Sequence, residues 1–249
     1  MSIEIKYPKQ TISKISGNLV LFSNEKFNIN NIKKYLSSSE FKYISDLLKN
    51  NELKKNLLVF ELSSKKKIVL ISIKDNLKTY DIENLGAEFY GRINYGKNSE
   101  YSIISDSITT KYNNFLGHFL HGLKLKSYEF KKYKTKNETS KISINIFGNK
   151  NKPSAQTQLK FKALEDGTFY ARDLVSEPGN VLHPDEYAKR ISSLRKYGLK
   201  INIYDEKKLK KLGMHALLGV GQGSIRGSYL VTMEWNGNKN KSKPLAFVG

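Results

Sequence analysis

Strand-like apolar runs alternate with amphipathic helical stretches through the first 150 residues, and this alternation constrains the fold more than any other feature. A short unbroken apolar run, or an apolar residue at every second position, is typical of a strand, whereas helical spacing of apolar residues indicates a helix. The strand candidates are Gly17–Ser23, Leu57–Leu62, Lys67–Ile73, Tyr101–Ser105 and Lys141–Phe147, and the helix candidates are Glu40–Asn50, Tyr80–Tyr95 and Thr109–Leu125. The sequence therefore predicts an α/β domain over residues 1–150.

Two of these strands carry more specific predictions. Leu57–Leu62 and Lys67–Ile73 are separated by the short polar segment SSKK, which predicts a β-hairpin. Lys141–Phe147 alternates apolar and polar residues, and that period predicts a strand with one exposed face.

A polar segment with Pro153 separates this domain from the rest of the chain. It predicts a linker helix from Ser154 to Val175, within a linker spanning residues 151–177 and followed by a second domain over residues 178–249. In that second domain the sequence predicts a helix from His183 to Tyr197 ended by Gly198, and a short helix capped by Asp205 and ended by Gly213. The predicted strands there are Lys200–Tyr204, Ser228–Trp235 and Pro244–Val248.

Composition excludes several classes of protein. The chain has no cysteine, so it has neither disulfides nor thiolate metal sites. No apolar run reaches the ~18 residues of a membrane span, and the first residues do not resemble a secretory signal. We therefore expect a cytoplasmic protein with no membrane partner.

The formal net charge of +20 raises the question of nucleic-acid binding. Only five of the 43 basic residues are arginine, the residue best suited to bidentate contacts with phosphate and guanine. The lysines are instead spread through the chain with many asparagines and isoleucines, as expected of AT-biased codon usage. Both interpretations, compositional drift and affinity for a polyanion, remain open at this point.

Three local groups of residues resemble metal, acid–base or phosphate sites, but a structural role explains each of them better. His118 and His121 share a helical face, but two nitrogen ligands without a third are a weak metal site. The acidic pairs Glu165–Asp166 and Asp205–Glu206 lie beside predicted helix ends, where solvation and capping explain them. The run Gly219–Ser224 fits neither the dinucleotide-binding nor the phosphate-loop spacing. It instead predicts a tight turn at a strand end, with positive φ or a close backbone approach.

Two longer strings carry a family resemblance. Residues 171–184 read ARDLVSEPGNVLHP and residues 212–224 read LGMHALLGVGQGS. At this spacing they resemble the leucyl aminopeptidase (cytosol aminopeptidase, or aminopeptidase A) family, whose members carry segments like RDLxNEPxNxxxP and LGMGALLxVGQGS. The resemblance extends over Phe161–Gly249, and Lys126–Lys136 also resembles the end of the family's N-terminal domain, whereas residues 1–120 match in layout only. Ser176 replaces the usual Asn, and His215 replaces a small residue.

The resemblance implies a fold and an activity for the whole family protein. The implied fold is an N-terminal α/β domain of the macro-domain type, a linker helix and the start of an α/β metallopeptidase domain. The implied activity is release of N-terminal, leucine-like residues from peptides by a cytoplasmic hexamer. Two divalent metal ions, manganese or zinc, activate water and polarise the scissile carbonyl.

In the family, the first metal ligands lie in a KGxTFDxGG-like loop directly after a strand resembling Leu245–Gly249, and the others lie in an NTDAEGR-like loop further on. We therefore expect catalytic, cofactor-binding and metal-binding residues only beyond Gly249, and we expect this chain alone to be an inactive fragment. The string Glu177–Asn180 is interpreted as architectural. Arg172 and Asp173 are expected to pair across a domain junction or with a neighbouring subunit.

Two other functions remain as alternatives. Some bacterial relatives in this family also bind DNA, and the basic stretch from Lys124 to Lys162 suits a DNA-binding or regulatory module. A degenerate paralogue that keeps this part of the family fold as a scaffold is the third possibility.

Overall fold

The computed structural model describes residues 2–9, 17–50, 55–93, 99–135, 141–237 and 243–249. The chain forms two compact units, residues 1–172 and residues 173–249. The predicted linker helix crosses the division between the two units at residues 172 and 173. The domain boundaries at residues 150 and 177 therefore remain a prediction.

The first unit contains six strands and four helices of at least twelve residues among the described residues. The strands are β1 (Ser2–Lys6), β2 (Asn18–Asn24), β3 (Leu57–Ser63), β4 (Lys66–Ile73), β5 (Ser99–Ile104) and β6 (Lys141–Phe147). The helices are α1 (Ser38–Asn50), α2 (Thr79–Ile93), α3 (Phe115–Lys126) and α4 (Ala155–Ser176), which runs on into the second unit.

The six strands form one sheet in the order β1-β6-β5-β2-β4-β3. Every neighbouring pair is parallel except β3–β4, which is antiparallel. The α/β fold class and the hairpin at residues 57–73 are thus confirmed. Helices cover both faces, and each face has its own core: α2 and α3 lie over one, and α1 over the other.

Two predictions in this unit are wrong in detail. Strand β6 is not half-exposed, because it lies between β1 and β5 and buries side chains on both faces, such as Ile144 and Asn145. Helix α3 begins at Phe115 rather than Thr109. Asn114 has a left-handed backbone with φ 56°, so the helix cannot extend back through it.

The second unit contains α5 (Pro184–Ser192), β7 (Lys200–Tyr204), α6 (Glu206–Lys211), α7 (His215–Gly221) and β8 (Leu230–Glu234). Strands β7 and β8 pair antiparallel. A 3₁₀ turn extends α5 to Tyr197, and Gly198, with φ 88°, ends it as predicted. Gly213, with φ 73°, follows α6.

Two predictions in the second unit are wrong. The glycine-rich run is not a strand-end turn, because its first residues belong to α7 and none of its glycines has positive φ. A close approach does occur at Gly221, where an added Cβ would lie 2.0 Å from Ser228 Oγ. The predicted strand Pro244–Val248 is not a strand, because no described strand pairs with it.

Candidate functional site

The turn between α4 and α5 is held by an arginine that contacts two carboxylates. Arg190 Nη1 donates to Glu177 Oε1 at 2.8 Å, and Arg190 Nε donates to Glu186 Oε1 at 2.9 Å. The Glu177 side chain is only 2% exposed. The hydrogen bond to Glu177 raises the pKa of the Arg190 guanidinium above its usual range, and the hydrogen bond to Glu186 adds a smaller increase. The geometry supports an architectural role for Glu177, since its carboxylate faces α5 rather than an open pocket.

The start of α5 is tied to the segment after the glycine-rich run. His183 is the N-cap and its Nδ1 accepts from the Glu186 backbone N–H at 3.5 Å, while the same nitrogen contacts the Asp185 carboxylate. The other oxygen of Asp185 lies 3.3 Å from Arg226 Nη1. Burial raises the pKa of the Asp185 carboxyl, but its own backbone N–H, His183 and Arg226 outweigh burial and lower it.

Asp205 and Glu206 serve a helix start, as predicted, whereas the prediction for Glu165 and Asp166 is wrong, because they lie in the middle of α4. Asp205 Oδ1 accepts from the Lys208 backbone N–H at 2.9 Å and so caps α6. Glu206 Oε1 accepts from the Ser228 backbone N–H at 3.2 Å. Neither carboxylate is directed toward a shared ligand position, so this pair is structural.

The two histidines on α3 flank the ring of Phe161. Both imidazole centroids lie 5.0 Å from the Phe161 centroid. His118 Nδ1 lies 3.2 Å from Glu83 Oε1 on α2, and His121 Nδ1 lies 3.2 Å from Glu165 Oε1 on α4. Sequence reasoning missed these carboxylates because each comes from a different helix. The two imidazoles face separate partners instead of one shared ion.

A crevice of about 180 Å³ lies beside His121, Phe161 and Glu165, next to the end of β1. Burial, followed by the charge of Glu165, raises the pKa of the Tyr7 hydroxyl there to about 12. Burial lowers the pKa of the Lys124 ammonium, which donates to the Ile3 carbonyl oxygen at 2.5 Å. The contact of His121 with Glu165 joins α3 to α4, and that of Lys124 with the Ile3 carbonyl joins α3 to β1.

A 3₁₀ turn, Ser105–Ser107, lies at the carboxyl ends of β5 and β6, the sheet edge where α/β proteins usually bind ligands. Ser107 Oγ accepts from the Phe22 backbone N–H at 3.0 Å and donates to the Ile104 carbonyl at 2.6 Å. Ser105 Oγ donates to the Phe147 carbonyl at 2.9 Å. Asp106 accepts from the two backbone N–H groups that follow Gly148. No sequence motif marks this network, in which every hydrogen bond except that from Ser107 to Ile104 joins residues 42 or more positions apart.

The basic stretch proposed for DNA is partly neutralised. Lys131 lies 2.6 Å from Glu129, Lys162 lies 2.7 Å from Asp166, and Lys124 is used internally. Lys136 lies outside the described residues. The excess positive charge is +14 over residues 1–172 and +6 over residues 173–249, close to proportional to length. Charge therefore does not single out one unit as a polyanion site.

Arg172 has partners within the first unit. Its Nη1 donates to the Leu125 carbonyl oxygen at the end of α3, at 2.6 Å, and its guanidinium lies 5.5 Å from the centroid of the Tyr128 ring. This arginine therefore fastens the second half of α4 to the end of α3.

Comparison with known proteins identifies the second unit. Residues 169–249 match the catalytic domain of the cytosol aminopeptidase family. The chain resembles the N-terminal half of that family. The relationship predicted from the strings at residues 171–184 and 212–224 is thereby confirmed.

Similar sequences are probable cytosol aminopeptidases of bacteria. The protein of Chelativorans sp. (strain BNC1) is 45% identical over 133 residues, which cover 51% of this chain and 27% of the relative. The protein of Nitrobacter winogradskyi is 34% identical over 228 residues, which cover 88% of this chain and 44% of the relative. The chain thus spans less than half the length of either of these relatives.

Solved structures show the same fold. The bottromycin maturation enzyme BotP in complex with Mn superposes with a TM-score of 0.67 at 13% identity, covering 89% of this chain and 46% of BotP. A second structure of BotP gives a TM-score of 0.66. At this identity the likeness establishes the fold and nothing about chemistry.

The described residues do not fit the two-metal site of a cytosol aminopeptidase. Within them, no three His, Asp or Glu side chains are grouped so that they could hold a metal ion. His118 and His121, the nearest candidates, contact different carboxylates. The prediction that the metal ligands lie beyond Gly249 stays untested. No helix in the described part of the chain is long and apolar enough to cross a membrane.

Proposed function

We propose that this chain supplies the N-terminal part of a metal-dependent aminopeptidase that releases N-terminal, leucine-like residues from peptides. The single observation that supports this proposal most is the match of residues 169–249 to the family's catalytic domain. The proposal is supported further by two contacts of the family-like string at residues 171–184: Glu177 accepts from Arg190, and His183 accepts from the Glu186 backbone N–H.

The proposed cofactors are two divalent metal ions, manganese or zinc, held by residues that belong to another part of the polypeptide. When bound, such a pair activates a water molecule and polarises the scissile carbonyl. Among the described residues, Arg190 fixes the start of α5, and Arg226 holds the segment after α7 to Asp185. We assign none of them a catalytic role.

The setting of the whole protein is part of the same proposal. We propose a cytoplasmic enzyme that acts on peptides and assembles as a homo-oligomer, a hexamer by analogy with the family. Homo-oligomers of soluble enzymes are usually closed and symmetric.

Hydrolysis of leucine p-nitroanilide by the 249-residue chain tests whether the chain alone is sufficient. We expect no hydrolysis above background with Mn²⁺ or Zn²⁺, and no stoichiometric binding of either ion by calorimetry. A purified full-length relative, such as the Chelativorans protein, is the positive control. Metal-dependent turnover by the 249-residue chain would refute this part of the proposal.

A further inference from the structure

The outer edge of β3 carries backbone groups that no described strand uses. Among the described residues β3 is the last strand of the six-stranded sheet and pairs with β4 alone. The Ser72 backbone N–H donates to the Asn56 carbonyl oxygen at 2.8 Å, so these two residues form a hydrogen-bonded pair. Such pairs alternate with non-hydrogen-bonded pairs along an antiparallel ladder. In the register of β3 with β4, the N–H and C=O groups of Leu57, Val59 and Glu61 therefore point outward, away from β4.

A groove of about 440 Å³ follows this edge. It is bordered by residues 57–61 of β3, by Tyr43 and Leu47 on α1 and by Arg92 on α2, with Lys55 just before the strand, and we call it the β3 groove. Tyr43 is 46% exposed and Val59 is 38% exposed, so apolar surface lies open beside the outward backbone groups. An open strand edge of this kind is a template for a second extended chain.

The charged side chains of the β3 groove favour an acidic occupant. Glu61 is neutralised by Lys67, whose Nζ lies 2.5 Å from Glu61 Oε1. Lys55 and Arg92 are exposed, and neither forms an ion pair within the part of the chain that the structure describes. These two positive charges attract carboxylates of a partner.

A second copy of this chain fits the β3 groove poorly. Antiparallel pairing of two β3 strands about Val59 would place Lys55 of one copy opposite Ser63 of the other, next to its Lys65. Like charges that face each other across a strand pair are destabilising, and each copy has a formal net charge of +20. A bulge between Glu61 and Ser63 also interrupts the regular ladder there.

We propose that the β3 groove binds an extended peptide segment rich in acidic residues, which adds to the edge of the sheet as a further strand. Main-chain hydrogen bonds to Leu57, Val59 and Glu61 supply affinity, and carboxylates beside Lys55 and Arg92 supply selectivity. The stretch from Leu57 to Glu61 spans about 13 Å, which matches about five residues of an extended partner. This inference does not depend on the proposed function, because it uses the first unit alone.

Fluorescence anisotropy of a labelled peptide tests this proposal. The probe is a fluorescein-labelled peptide of alternating Glu and Val, and the same peptide with Lys in place of Glu is its control. At low salt the 249-residue chain is expected to bind the Glu peptide, and to bind the Lys peptide at least about tenfold more weakly.

Matched variants of the chain locate the binding to the β3 groove. Arg92→Glu is expected to weaken binding of the Glu peptide about tenfold. Lys160→Glu makes the same charge change at an exposed lysine on α4 and is expected to alter binding less than about twofold. Val59→Pro removes an outward N–H without removing a hydrogen bond to β4, and it is expected to weaken binding about tenfold. Circular dichroism checks that the three variants fold.

Four results would overturn the proposal. They are no binding of the Glu peptide, equal binding of the two peptides, equal effects of Arg92→Glu and Lys160→Glu, and full binding by folded Val59→Pro. The third result would favour attraction to the charge of the whole chain, and the fourth would favour charge contacts without strand pairing. Self-association of the 249-residue chain that Val59→Pro abolishes would also overturn the proposal, in favour of a second copy as the occupant.

Discussion

Helices α2 and α3 meet backbone to backbone at two glycines, and replacing either with alanine provides a quantitative test of the fold. A Cβ added at Gly86 would lie 1.9 Å from the Phe119 carbonyl oxygen, and one added at Gly122 would lie 1.9 Å from the Glu83 carbonyl oxygen. Both distances are about 1 Å below the 3.0 Å limit under which real Cβ atoms are essentially never found. The two helices must therefore move apart in either variant.

The expected loss follows from two opposing effects. Overpacking of a closely packed site costs about 3 kcal/mol at the upper end of its usual range. Alanine in place of glycine returns about 1 kcal/mol through helix propensity. We therefore expect Gly86→Ala to lower the free energy of unfolding by about 2 kcal/mol, which corresponds to a fall of about 4–8 °C in Tm.

Thermal unfolding followed by circular dichroism measures this loss, and Gly91→Ala is the matched control. Gly91 lies on the same helix and has nothing within 4 Å of an added Cβ, so alanine there is expected to raise stability by about 1 kcal/mol. A Tm for Gly86→Ala equal to or above that of Gly91→Ala would refute the close approach of α2 and α3.

Three further predictions concern the buried Glu177, the ion pair of Glu40 and the net positive charge of the chain. Glu177→Gln is expected to destabilise the second unit more than Glu186→Gln does, because the Glu177 side chain is nearly fully buried against Arg190 while that of Glu186 is 29% exposed. Urea unfolding followed by Trp235 fluorescence measures the two losses of stability. Equal losses would contradict the architectural role of Glu177. Burial tends to raise the pKa of Glu40, but Lys66 and the Ser37 backbone N–H outweigh it and hold the pKa below 4.5. The stability from this carboxylate is therefore present above pH 4.5 and lost as the pH falls through the lowered pKa, so Glu40→Gln should flatten the acid limb of an unfolding-versus-pH curve, and an unchanged limb would count against it. The affinities for two duplex DNAs of different sequence are expected to be equal, and each is expected to fall by ~10³-fold or more between about 50 and 200 mM salt in a fluorescence titration. A sequence preference that survives at about 200 mM salt would favour the DNA-binding alternative.

The elements that the sequence predicted well are those fixed by local pattern. Strand β4 has an apolar run, and α5 with the 3₁₀ turn that follows it is bounded by Pro184 and Gly198, so each signal lies within or next to the element itself. The family relationship was also readable, because its strings are contiguous. These features depend on neighbours in the chain, which a single sequence displays directly.

The features that sequence reasoning missed depend on distant neighbours. Strand β6 alternates like an exposed strand but is buried because it lies between β1 and β5. The contacts of His118 and His121 with Glu83 and Glu165 join three helices. The segment Pro244–Val248 has the composition of a strand, yet a strand forms only where another strand pairs with it. Pairing partners and sheet order are not encoded in local periodicity.

Reconstitution of peptidase activity tests the central claim most directly. Three samples are assayed for hydrolysis of leucine p-nitroanilide with Mn²⁺: the 249-residue chain, the part of the Chelativorans protein that follows its matched 133 residues, and their mixture. The account predicts turnover in the mixture alone, abolished by a chelator. Turnover by the 249-residue chain without the segment, or a tight complex that stays inactive with metal present, would contradict the account, and the second result would favour the scaffold alternative.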